Sequence, residues 1–494
     1  MLLGRVDSSE VLSKLGYDFY SYVEPAIKPD EVDVTFEDLI PQLSSGFPIS
    51  GRRLYKHQLE AYKALVSGAN VILRSGTGSG KTEAWLLYTL KHGIPTLAVY
   101  PTLALANDQI RRIRDYASAV KIRVEVIDAL RRDQLVREKG RSKLRAMITG
   151  CDVLVTNPAF LLHEVKKAAT TSKSLLDGFL SKLGLLVLDE VDFYGPREIA
   201  LLLALIEIVN LMFKSKFQVA ILTATIENPE EFASFLTKIN DRETRIIEGK
   251  PFRVENRVYV VLGKNLKALW EYLKARKKDF EKAGVGRDVV EALDDFEQFK
   301  EEVYNIVEVA KAIGMQVPSL EFDPLDVLKA YVNDLGVTLV FTKSIAKAEE
   351  LARKLKTELP LAHRDSIAAH HHLAFKDYRA SVEEAARQGL VKILISPRTL
   401  SQGIDIGTVI RIVHVGLPES LREFYQREGR KGRREEVSFS ETIILPAGKW
   451  DRDVLSRGLD ALKSWLNMPI EKVIINPDNK YSLFFKALLK FMSP

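Results

Sequence analysis

Short, almost wholly apolar runs alternate along the chain with longer stretches in which apolar residues recur every three or four positions. The first kind reads as buried strand and the second as amphipathic helix. Their alternation over a whole chain predicts an α/β fold built on parallel sheets. In the first half the pattern predicts strands over 70–74, 96–100, 122–127, 152–156, 185–189 and 218–223. A second series covers 337–342, 391–396, 409–415 and 441–445. Between the two, 265–334 reads as helices, with breaks at Gly284, Gly286 and Val317-Pro318. No repeat of solenoid period and no low-complexity tract interrupts this plan. The expected division is an appendage over 1–50, an α/β domain over 51–262, a helical insert over 263–334, a second α/β domain over 335–450 and a helical extension over 451–494.

Composition narrows the class without naming it. With 494 residues, 46% hydrophobic and 28% charged, the chain is an ordinary globular protein of several domains. The apolar stretch from Ala200 to Phe213 carries Glu207 and Asn210 and is too short to span a bilayer. Charge arrives too early at the N-terminus for a signal peptide, so a cytosolic protein that does not engage membranes is expected. A single cysteine, Cys151, excludes an internal disulfide and multi-cysteine metal sites. The net charge of +6 is compatible with a polyanionic partner. His370, His371 and His372 invite a metal reading, but successive side chains diverge on any regular element, which disfavours it.

The strongest chemical signal follows the first strand. Ser75-Gly76-Thr77-Gly78-Ser79-Gly80-Lys81-Thr82 sits between a strand and an apolar helix, the context a phosphate-binding loop requires. Its glycines let backbone N–H groups converge on phosphates at a helix N-terminus. Lys81 is placed to reach the terminal phosphates of ATP, and Thr82 to offer a hydroxyl to Mg2+. Further on, the apolar run 185–188 ends in Asp189 and Glu190. Asp189 can hold the magnesium through its water shell, and Glu190 can polarise an attacking water.

These segments, with PTLALANDQ (101–109), TNPAFLL (156–162), DEVD (189–192), TAT (223–225), VFTKS (340–344), SQGIDIG (401–407) and QREGRKGRR (426–434), stand in the order of a superfamily 2 helicase, which the chain resembles. The second half, the DEVDFYG stretch and the INPDNKYSLFFKALLKF segment look like the Hrq/MrfA-type and Lhr-type DNA repair helicases. The box ends in Asp192 rather than His, and the cysteine-rich zinc region of MrfA-type proteins is not present.

The resemblance implies two RecA-like domains with a helical insert between them, and ATP and nucleic acid bound across their cleft. Tyr55 and Gln58 would recognise adenine. Thr223 and Thr225 would couple the nucleotide state to domain closure. Gln426, Arg430 and Arg433 would act on the γ-phosphate, with Gly403 and Asp405 in the same cleft. Pro101, Thr102, Arg111, Thr156, Asn157, Lys343 and Thr399 would follow the sugar–phosphate track. The implied activity is ATP-driven movement along single-stranded DNA or a tailed duplex, 3′ to 5′, by a cytoplasmic or nucleoid-associated monomer. Two alternatives stay open: an RNA helicase of the DEAD-box or Ski2 type, and an ATP-gated clamp with little unwinding.

Overall fold

The structure is a computed structural model. It describes residues 5–494 apart from 44–46, 48, 77, 104–105, 172–173, 214, 225, 398–405, 433–436, 470–478, 481–482, 485–486, 489–490 and 492–494. Among the described residues the strands are, in chain order, β1 (Asp18–Glu24), β2 (Glu31–Thr35), β3 (Arg53–Tyr55), β4 (Asn70–Ser75), β5 (Thr96–Val99), β6 (Val124–Val126), β7 (Val153–Thr156), β8 (Leu185–Leu188), β9 (Gln218–Thr223), β10 (Thr244–Gly249), β11 (Glu255–Gly263), β12 (Val337–Phe341), β13 (Ile367–Ala369), β14 (Ile393–Ser396), β15 (Val409–Val415) and β16 (Phe439–Leu445). The chain divides into two compact units: one takes 28–252 and 470–494, the other 1–27 and 253–469.

In the unit built from 28–252, seven parallel strands run in the order β10-β4-β9-β8-β5-β7-β6. β5, β7, β8 and β9 are buried along their whole length. That is why their sequences are unbroken apolar runs rather than alternating ones: helices cover both faces. One face holds a core with Phe160, Phe179, Leu202 and Phe217, the other a core with Leu65, Trp85, Leu86 and Ile113.

The second unit also has a seven-stranded sheet, ordered β1-β11-β16-β15-β12-β14-β13. All neighbours are parallel except β1, which runs antiparallel to β11 at the edge. Both units are therefore RecA-like, as the resemblance implies.

The boundaries differ from those read from the sequence. Residues 5–27 are not an appendage: β1 pairs with β11 over Asp18–Glu24. β11 in turn lies in the second sheet beside β16, so the first unit closes at 252 rather than 262. The helices over 266–312 likewise sit inside the second unit. Their buried Leu269, Phe280, Phe299 and Ile306 join Val258 and Val260 of β11 and Leu462 and Trp465 of the C-terminal helices in one core. They cover one face of the sheet, and the helix Ile345–Glu358 covers the other together with Leu12 and Tyr331.

A buried ion network explains why the N-terminus belongs there. Arg411 of β15 is fully buried. Its guanidinium donates to Glu441 (2.7 Å), Asp334 (2.8 Å) and the Val6 carbonyl (2.9 Å), and lies 3.7 Å over the Tyr331 ring. Ser8 donates its N–H (2.9 Å) and its hydroxyl (2.8 Å) to Glu441. A buried charge needs every one of its hydrogen bonds, and Val6 and Ser8 supply several of those in this network.

Candidate nucleotide and nucleic-acid site

In open α/β sheets ligands gather beyond the carboxyl ends of the strands. In the first unit the strand order itself sorts the motifs along that edge. β4 ends in the phosphate loop, β9 in Thr223, β8 in Asp189, β5 in Tyr100-Pro101-Thr102 and β7 in Asn157.

The loop after β4 is shaped by backbone that only glycine adopts without strain. Gly78 (φ 78°) and Gly80 (φ 70°) are left-handed, and Gly80 caps the helix Lys81–His92. A side chain at Gly80 would strike the Gln58 amide. Lys81 is buried, and its ammonium donates to the carbonyls of Ser75 (3.0 Å) and Gly76 (3.3 Å). The Ser79 hydroxyl donates to the Gly76 carbonyl (2.8 Å). The lysine thus lies across its own loop, the position from which it can turn to a phosphate.

The helix Lys56–Val66 braces this loop from behind. His57 Nε2 donates to the Ser79 carbonyl (2.8 Å) and Gln58 Nε2 to the Gly80 carbonyl (3.0 Å). Gln58 Oε1 accepts from the Tyr55 N–H (2.9 Å). Burial holds His57 below the usual imidazole range, so it is the neutral ring that donates. The Gln58 side chain, expected at adenine, is buried here and joins Tyr55 to the phosphate loop.

At the end of β8, Asp189 is buried and Glu190 takes a left-handed backbone (φ 53°), an uncommon conformation for a residue with a side chain. Burial and the neighbouring Glu190 push the Asp189 carboxyl up to about 7, against the pull of Lys81. Asp192 is buried as well. It accepts from the Thr223 hydroxyl (3.1 Å) and the Ala224 N–H (3.1 Å), which ties the carboxylate box to the end of β9.

Thr82 and Asp189 are hard oxygen donors, and burial beside Glu190 raises the Asp189 carboxyl, a shift that a bound cation would relieve. Both observations fit a magnesium ion at this place.

Sequence reading passed over Tyr100. It is wholly buried just past the end of β5, and its hydroxyl meets the Asp189 carboxyl there. Its mutual influence with Asp189 places the two groups side by side. The visible signal was a polar-tipped aromatic closing an otherwise aliphatic strand.

The residues expected on the nucleic-acid track divide. Thr102 and Arg111 are exposed, and Pro101 and Asn157 are half-buried on the same edge. The Asn157 side chain also caps the following helix, accepting from the Phe160 N–H (2.9 Å). Thr156 is fully buried and its hydroxyl donates to the Ile127 carbonyl (2.7 Å), so that side chain serves the sheet.

In the second unit, Lys343 follows β12 and reaches Asp451 at 3.5 Å. Gln426 and Arg430 are half-buried at the end of the helix Leu421–Glu428. What holds that end is a network the sequence did not single out. The Glu428 carboxylate pairs with Lys431 (2.5 Å) and His414 (2.9 Å) and accepts from Thr442 (2.7 Å). Those partners hold Glu428 down to about 2 despite burial. His370 and His371 pair with Glu383 (2.9 Å) and Glu349 (2.7 Å), on different helices, so they diverge. Thr77, Thr225, Thr399, Gly403, Asp405 and Arg433 lie outside the described residues.

The chain matches the DEAD/DEAH box helicase family over residues 55–232 and the helicase conserved C-terminal domain over 324–435. Together the two matches cover more than half of it, and the chain belongs to the superfamily 2 helicases. Within that superfamily its likeness is to the Lhr and MrfA types. It is 26% identical to the ATP-dependent helicase Lhr-Core of Methanocaldococcus jannaschii over 87% of this chain and 48% of that protein. Among solved structures, the helicase MrfA bound to DNA superposes with a TM-score of 0.68 at 18% identity, covering 99% of this chain and 59% of that one. Lhr of Mycobacterium smegmatis, bound to single-stranded DNA and AMP-PNP, gives 0.56 at 21% identity over 84% of this chain and 49% of that one. The chain spans about half the length of the curated relatives it matches. Among the described residues no helix is long and apolar enough to cross a membrane.

Proposed function

We propose that the chain is an ATP-dependent nucleic-acid motor that hydrolyses ATP at the phosphate loop and moves along a single strand of DNA, 3′ to 5′, as a monomer. The observation that carries the reading is the order of motifs along the first sheet's carboxyl edge. Phosphate loop, coupling threonine and paired carboxylates stand on β4, β9 and β8; the expected strand contacts follow on β5 and β7. Nucleotide and nucleic acid would thus lie side by side on one rigid edge.

The chain's residues divide the work. Loop N–H groups and Lys81 bind and orient the phosphates. Glu190 aligns water and takes its proton. Bound through Thr82 and Asp189, Mg2+ would offset the charge of the phosphates. Tyr100 would orient the Asp189 carboxylate. Asp192 passes any shift at the box to Thr223 and so to the end of β9. Arg430, with Arg433 and Gln426, would bring positive charge from the second unit to the γ-phosphate. Gly403 and Asp405 would line that side, and Tyr55 and Gln58 would border the adenine while bracing the loop. The DNA preference and the polarity rest on the likeness to the Lhr and MrfA types. The deciding assay is unwinding of 3′-tailed and 5′-tailed DNA and RNA duplexes. Unwinding of 3′-tailed DNA is expected; equal or better action on RNA, or on 5′ tails, would overturn that part.

A further inference from the structure

β13 is the edge strand of the second sheet, and the turn at its carboxyl end is held from beneath. The His370 N–H donates to the Ile395 carbonyl (2.9 Å), and His370 and His371 are pinned by Glu383 and Glu349. The Ala374 N–H donates back to the His371 carbonyl (3.1 Å). From this braced turn Leu373 and Phe375 project into solvent, 71% and 89% exposed. Tyr378, three residues on at the start of the helix Lys376–Arg387, is 43% exposed. Phe375 is the N-cap residue of that helix, so Tyr378 lies in the first turn after it.

A lone exposed apolar residue needs no explanation, but two in three residues with an aromatic beside them do. The turn is tied down at His370, His371 and Ala374 by the bonds just described. Lys376 is exposed between the two aromatics, and Arg379, one turn on in the same helix, is half-buried. Cations interleaved with aromatics suit a chain of phosphates and bases: the charges follow the backbone and each base offers a ring to stack on. The turn also stands on the carboxyl edge of its sheet, the edge that carries Lys343.

We infer that Phe375, backed by Leu373 and Tyr378, is a stacking platform for a base of single-stranded nucleic acid, with Lys376 and Arg379 on the adjoining phosphates. The inference deepens the proposed function and rests on it.

The test is fluorescence anisotropy of the full chain with labelled oligo(dT) and with the same oligomer carrying abasic sites. Phe375→Ala should weaken oligo(dT) binding about 5- to 150-fold, the range for one lost stack. Phe375→Trp should restore it, and the salt dependence should keep its slope. Wild type should lose affinity on abasic DNA down to the level of Phe375→Ala, while the variant is indifferent to the missing bases. Unchanged melting temperatures would show that the variants fold. If Phe375→Ala binds oligo(dT) as wild type does, the platform is refuted and the patch falls to a protein partner. An equal loss on normal and abasic DNA also refutes stacking. If wild type binds no single-stranded nucleic acid, the proposed function fails together with the platform.

Discussion

Lys81 is the loop's cation and is already bonded to the carbonyls of Ser75 and Gly76. Lys81→Ala removes a charge-assisted contact and should abolish ATP binding; titration calorimetry with a non-hydrolysable analogue reads this directly. Glu190→Gln keeps the shape and loses the base. ATP should still bind, with turnover down by about 10²–10⁴, as single-turnover hydrolysis would show. Asp189 sets a pH dependence. Its carboxyl is raised from 3.8 to about 7, so it is mostly protonated below that pH in the absence of metal. Folding therefore becomes less favourable as pH rises through that window, the opposite sign to a salt-bridged aspartate. Protons and Mg2+ compete for the same oxygens, so the acid limb of ATPase should move to lower pH as Mg2+ rises. A limb that ignores Mg2+ would place the titration elsewhere.

At the level of elements, the long buried strands were legible because burial on both faces leaves unbroken apolar runs. β4, β5, β7, β8, β9, β12, β14, β15 and β16 fall within about two residues of the positions read from the pattern. β13 was not legible, since three residues, Ile-Ala-Ala, carry no period. β11 has a clear apolar run, but its sheet cannot be read from it: only pairing with β16 assigns it to the second unit. β1 was missed because its alternation is that of a half-exposed edge strand. The phosphate loop and the carboxylate pair could be read because their chemistry is local. Tyr100, His57 and Glu428 could not, because their roles depend on neighbours distant in sequence.

The N-terminal segment gives a test at this scale. Deleting residues 1–15 removes Val6 and Ser8 from the Arg411–Glu441 network and leaves buried charge uncompensated. Such losses cost about 3–5 kcal/mol. The second unit should melt earlier in calorimetry while nucleotide binding at the first persists. An unchanged melting profile would mean the network closes without the segment.

For the whole molecule, the chemistry is split. Lys81 and Glu190 stand in one unit and Arg430 in the other. Hydrolysis on the proposed account needs both, and nucleic acid engaging both would favour the competent state by binding it more tightly. Arg430→Ala should therefore lower turnover by about 10³ or more with little effect on ATP affinity. The most direct measurement is steady-state ATPase of the wild-type chain as single-stranded DNA is added. The account predicts a low rate without DNA that rises and saturates with it, and a Glu190→Gln variant that stays low throughout. A wild-type rate that is the same with and without polynucleotide would contradict it.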